Sequence, residues 1–168
     1  MRTFALLAGG WLLFALAAAL LQAVGLERFR PDLLAVLVFH TAITRPWTYG
    51  LLSAAALGLL YAPFHQCAPW VFVLQAFLFF AALRGLARYL NLSGLLPGTL
   101  FVFFGEVVLQ FLLLLTTDLA GSDSWTFSGF TLRSLPIALT TAILAPGLHR
   151  FFLRIEQRLW PHRRDVFC

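Results

Sequence analysis

The sequence predicts an all-α, polytopic membrane protein, a bundle of about six helices packed in lipid. Three observations predict it. First, the chain of 168 residues is 61% hydrophobic and 11% charged, with a mean hydropathy of +0.87, which is more apolar surface than one water-soluble domain can take inside. Second, its apolar runs approach the roughly 20 residues that a helix needs to cross a hydrocarbon core, and only short polar corners separate them. Third, small residues recur at four-residue spacing, Ala15, Ala19 and Ala23 in one run and Gly50, Ala54, Gly58 and Ala62 in another. Such stripes let helices approach closely where lipid supplies no hydrophobic drive for association.

The first span, Thr3 to Leu26, is longer than a signal-peptide core and has no Ala-x-Ala site followed by a polar region, so it is expected to stay in the membrane. Glu27 to Asp32 forms the next corner. Pro31 suits a first helical turn and Asp32 the positive end of a helix, so the second segment, Asp32 to Ile43, starts there. It is short for a 30 Å core, roughly the hydrocarbon thickness, and is either a tilted minimal span or one arm of a re-entrant pair. Thr44-Arg45-Pro46-Trp47 closes that hairpin, and the third segment carries the glycine stripe to Ala62.

Two prolines in Pro63 to Pro69 end one helix and begin another, a fourth span from Trp70 to Leu90. The fifth span runs from Leu95 to Leu119. The longest polar connection, Ala120 to Gly129, precedes a sixth span, Leu132 to Leu153. Residues 1–153 therefore form the bundle and 154–168 a basic tail, which either continues the last helix along the membrane surface or acts as a stop-transfer cluster.

All twelve basic residues are arginine, and the formal net charge is +5. They sit at span ends without a soluble reading surface, so anionic lipid and not nucleic acid is the expected counterion. Arg84, Arg88, Arg150, Arg154 and Arg158 are the lipid-phosphate candidates. Nine arginines fall on one predicted side and Arg28, Arg30 and Arg133 on the other, which puts both termini in the cytoplasm. Trp47, Trp70, Trp125 and Trp160 lie near span ends, as an indole belt would, whereas Trp11 does not.

Chemistry is sparse. Glu106 sits near the middle of the fifth span, where an ionised carboxylate is costly and commonly functional. Gln110 follows one turn later, with Thr117 near the same face. The pattern reads either as an ion relay or ligand contact, or as a protonated carboxyl bonded to Gln110, His40 or a carbonyl; no second acid at similar depth is evident to complete a relay. His40 is the other strongly polar side chain within a span. No Cys, Asp or His stands three or four residues from it, and His65, His149 and His162 read as loop or end residues. Cys67 and Cys168 have no metal-binding or disulfide spacing. No hydrolase, metalloprotease or phosphate-cradling motif is present, so no enzyme, metal or cofactor is expected.

Arg30-Pro31-Asp32-Leu33-Leu34, and the closing run Leu135-Pro136-Ile137-Ala138-Leu139-Thr140-Thr141-Ala142-Ile143-Leu144-Ala145-Pro146, resemble the rod shape-determining MreD family. Length, span number, the short second span, the glycine-striped third and the basic tail agree over nearly the whole chain. Tyr61 departs from the pattern, standing where family members often carry an acid after Gly58-Leu59-Leu60. The resemblance implies a non-catalytic inner-membrane scaffold of the cell-elongation complex, supporting peptidoglycan synthesis. Its implied partners are MreC, then MreB, RodA and its class B penicillin-binding transpeptidase. A fold like the S components of vitamin transporters is also implied, with vitamin binding as the rival function. The candidate docking residues are Ala15 and Ala19, Gly50, Ala54 and Gly58, and Trp125, Phe127 and Phe130 in the outer connection; packing within the bundle explains the two stripes equally well.

Overall fold

A computed structural model describes residues 2–25, 29–62, 69–89, 94–119 and 127–159, and its regular elements are six α-helices. They are α1 (Arg2–Ala23), α2 (Leu33–Thr44), α3 (Trp47–Tyr61), α4 (Pro69–Leu86), α5 (Leu95–Leu119) and α6 (Phe127–Leu159). Among the described residues, two stretches are long and apolar enough to cross a membrane, Pro69–Leu86 and the Ser134–Arg158 portion of α6. Three shorter apolar helices, Leu33–Thr44, Trp47–Tyr61 and Leu96–Leu112, accompany them.

The hairpin of α2 and α3 is the centre of the molecule. Asp32 caps α2, its carboxylate accepting the backbone N–H groups of Leu34 and Ala35, which would otherwise lack partners at a helix start. Every residue from Leu34 to Ala42 is buried, so α2 is enclosed on all sides. That explains its sequence. A helix covered all round shows no apolar stripe, only a continuous apolar run. Arg45 and Pro46 turn the chain into α3 without a longer loop.

The glycine stripe is the seam between α3 and α4. A Cβ at Gly58 would lie 2.7 Å from the Phe72 carbonyl oxygen and 2.8 Å from the Val73 backbone, so α4 touches α3 main chain to main chain there. Gly50 lies under the Phe80 ring, and Ala54 is fully buried between them. Gly105 of α5 lies in the same way against Phe79, and Gly10 of α1 against Leu37. Close approach was legible in the spacing; its object is a helix of this chain. Gly50, Ala54 and Gly58 are therefore not available to a partner. On α1, Ala15 is half-buried and Ala19 exposed, so that stripe is not packed within the bundle.

Helix α6 differs from the expected sixth span at both ends. It begins at Phe127, so Phe127 and Phe130 belong to its first turn and not to a loop. Trp125 lies outside the described residues, as do the side chains of Phe127 and Phe130. It also runs through residues 153 and 154 to Leu159 without a break, because no glycine or proline follows Gly147 in that stretch. Pro136 and Pro146 sit inside it. Thr140 donates to the carbonyls of Pro136 and Ile137, and Thr141 to that of Ile137, side-chain bonds back onto the preceding turn of the helix.

Candidate functional site

Helices α2 and α6 lie alongside each other in parallel and in step. The Asp32 backbone N–H donates to the Thr141 hydroxyl at 2.8 Å, Nδ1 of His40 meets Nδ1 of His149 at 3.1 Å, and Arg45 pairs with Glu156. The partners are 109, 109 and 111 residues apart in sequence, so one register brings a polar group of α2 against a polar group of α6 at each level. Two polar clusters result.

The first surrounds the start of α2. Glu106, near the middle of α5, has no exposure to solvent. Its Oε1 accepts from Gln110 Nε2 at 2.8 Å, one of the three partners that the sequence left open for it. Its Oε2 meets no donor. The carboxyl faces that of Asp32, and the Tyr61 hydroxyl from the end of α3 reaches the Asp32 carboxyl beside it. A second acid thus stands at the depth of Glu106, contrary to the expectation from the sequence. It went unseen because Asp32 reads as a corner residue, whereas the hairpin carries its cap to the midpoints of α5 and α6. For that geometry α2, 12 residues or about 18 Å long, needs only to reach from one end of the bundle to its middle.

The second cluster lies at the other end of α2. His40 and His149 are both buried, with Phe39 edge-on to His149 and Phe152 edge-on to His40. His149 is an interior residue of α6 and not the end residue that linear reading suggested, because α6 continues past it. A contact between two Nδ1 atoms requires one ring to donate and the other to accept. With His149 as donor, His40 carries its proton on Nε2, which points at Glu156 Oε1 3.9 Å away. Arg45 completes the cluster through its ion pair with Glu156. Glu106 and His40 therefore belong to different clusters and do not bond to each other.

Of the lipid-phosphate candidates, Arg84 is placed differently from the expectation. Its guanidinium donates to the Ala42 carbonyl at 2.9 Å, one of the last carbonyls of α2 and so without a helical partner. Arg88, Arg150, Arg154 and Arg158 are exposed. Gln75 of α4, which nothing in the sequence singled out, donates to the Leu109 carbonyl at 3.1 Å and joins α4 to α5. The side chain of Thr117 lies outside the described residues, as do Cys67, Cys168, His65 and His162. Among the described residues, no group of three His, Cys, Asp or Glu side chains is placed to hold a metal ion.

The outer surface has the opposite character. Leu12, Leu16, Leu20, Leu52, Leu59, Trp70, Phe104, Val108, Leu139 and Ile143 are all exposed. Between α3 and α4, an open groove of about 770 Å³ is lined by Leu59, Pro69, Trp70, Val73, Leu74 and Phe77, without a polar side chain.

Fold and site together define a helical bundle that is apolar outside and joined inside by two polar clusters at the two ends of a buried helix. No family model, no curated protein and no solved structure matches the chain.

Proposed function

We propose that the chain is a multi-pass protein of the bacterial inner membrane, with both termini cytoplasmic, and a non-catalytic scaffold of the cell-elongation complex that holds MreC. The observation that carries this reading is its polarity. Large apolar side chains cover the outside, where water would oppose them and lipid would not, while the polar side chains are turned inward onto one another. A surface of that kind offers shape to neighbours. The groove between α3 and α4 is its concave part, and an apolar partner helix packed over Leu74 and Phe77 would bury both. Its lining has no polar group to orient a soluble vitamin, which favours the scaffold over a transport subunit.

The test is co-purification of MreC with the tagged chain from native membranes, repeated with Leu74→Trp and Phe77→Trp, which fill the groove from outward-facing positions. The expected result is MreC recovered with the wild-type chain and lost with the folded variants. Absence of MreC from the wild-type preparation rejects the scaffold role; MreC retained by both variants rejects the groove as its seat.

A further inference from the structure

Glu106 Oε2 is buried without a donor, and the Glu106 carboxyl faces a second one, that of Asp32. Two ionised carboxylates offer only acceptors to each other, so this contact is repulsive and leaves a buried acceptor unsatisfied, which is costly. Asp32 cannot turn away, because its Oδ1 is fixed by the N–H groups of Leu34 and Ala35. Glu106 is fixed in turn by Gln110. A single proton resolves the conflict. It converts one carboxyl into a donor and makes the contact an O–H···O⁻ bond, among the stronger hydrogen bonds that side chains form.

We infer that Asp32 and Glu106 form a binding site for one exchangeable proton, which fastens the start of α2 to the middle of α5. The Tyr61 hydroxyl at the end of α3 reaches the Asp32 carboxyl, with Arg30 near Tyr61 at the entry to α2; Gln110 on α5 bonds the Glu106 carboxyl, and Thr141 on α6 accepts the Asp32 backbone N–H. A proton fits better than a metal ion, since among the described residues no third His, Cys, Asp or Glu joins the two carboxyls to make a cation cage. Release of the proton would leave two facing anions, one of them fully buried, pushing the hairpin away from α5. This inference concerns the interior and does not depend on the scaffold role.

Infrared spectroscopy of the full chain in lipid bilayers, together with thermal unfolding across pH, tests it. The wild-type protein should show the carbonyl band of one protonated carboxylic acid at neutral pH, shifted in heavy water. Alkaline titration should remove the band and lower the unfolding temperature together. In Glu106→Gln the amide donates to the Asp32 carboxylate, so the band should vanish and the alkaline loss of stability should disappear. Asp32→Asn, which keeps the helix cap, should also abolish the band and serves if the first variant fails to fold. A wild-type spectrum without the band, a band unchanged in both variants, or a stability that follows sodium concentration and not pH would overturn the assignment.

Discussion

Replacing Gly58 with alanine adds one methyl group, and the structure fixes where it must go. The new Cβ would stand 2.7 Å from the Phe72 carbonyl oxygen, about 0.7 Å short of the 3.4 Å at which ordinary contact begins, and 2.8 Å from both N and Cα of Val73. These are main-chain atoms of α4, so no rotamer change relieves the overlap and the two helices must separate. Overpacking of this kind costs about 1–3 kcal/mol. The helix propensity of alanine returns about 0.8–1 kcal/mol of that, which leaves a net loss of roughly 0–2 kcal/mol, with the upper half expected because backbone cannot yield as a side chain does. Gly147 supplies the control. It is exposed within α6, and a methyl group there would meet nothing within 4 Å, so Gly147→Ala should be neutral or stabilising by up to about 1 kcal/mol. Reversible unfolding of both variants in the same bilayer or detergent gives the comparison. Equal stability of the two would refute the main-chain contact between α3 and α4.

The remaining predictions concern the buried helix α2. Arg84→Met keeps the aliphatic stem but strands the Ala42 carbonyl, so it should cost about 1–3 kcal/mol in the same unfolding assay, whereas Arg88→Met at an exposed site should cost less than about 0.5 kcal/mol. The Arg45–Glu156 pair is about one-fifth exposed, between the surface and buried cases. A double-mutant cycle with Arg45→Gln and Glu156→Gln should therefore return a coupling of about 1–3 kcal/mol, and a coupling near zero would show that the pair is only a surface contact. Asp32→Ala removes the cap that Asp32→Asn preserves, and the alanine variant should be less stable than the asparagine one by about 0.5–2 kcal/mol. Equal stability of those two would mean that the bonds to Leu34 and Ala35 contribute little.

Local pattern was enough for the all-helical class, the hairpin turn at Arg45-Pro46, the start of α2 beside Asp32 and the placing of Gln110 one turn from Glu106 on α5. Each depends on residues within about one helical turn, where spacing fixes which side chains meet. Spacing also marked the face of α3 where something approaches closely, but not the occupant. A small residue records that space is tight, and a partner protein or α4 would leave the same mark at Gly50, Ala54 and Gly58.

What the sequence by itself determined is composition and period: helices, an apolar exterior and a costly acid in the fifth of them. Only the tertiary structure decided that Asp32 reaches Glu106, that His40 meets His149, and that Arg84 is engaged with α2. Each pairing follows from how α2 is set against a different neighbour: α5 for Asp32, α6 for His40 and α4 for the Ala42 carbonyl that Arg84 meets. A helix's own periodicity says which way its side chains face, and nothing local says how far a neighbouring helix has slid along it.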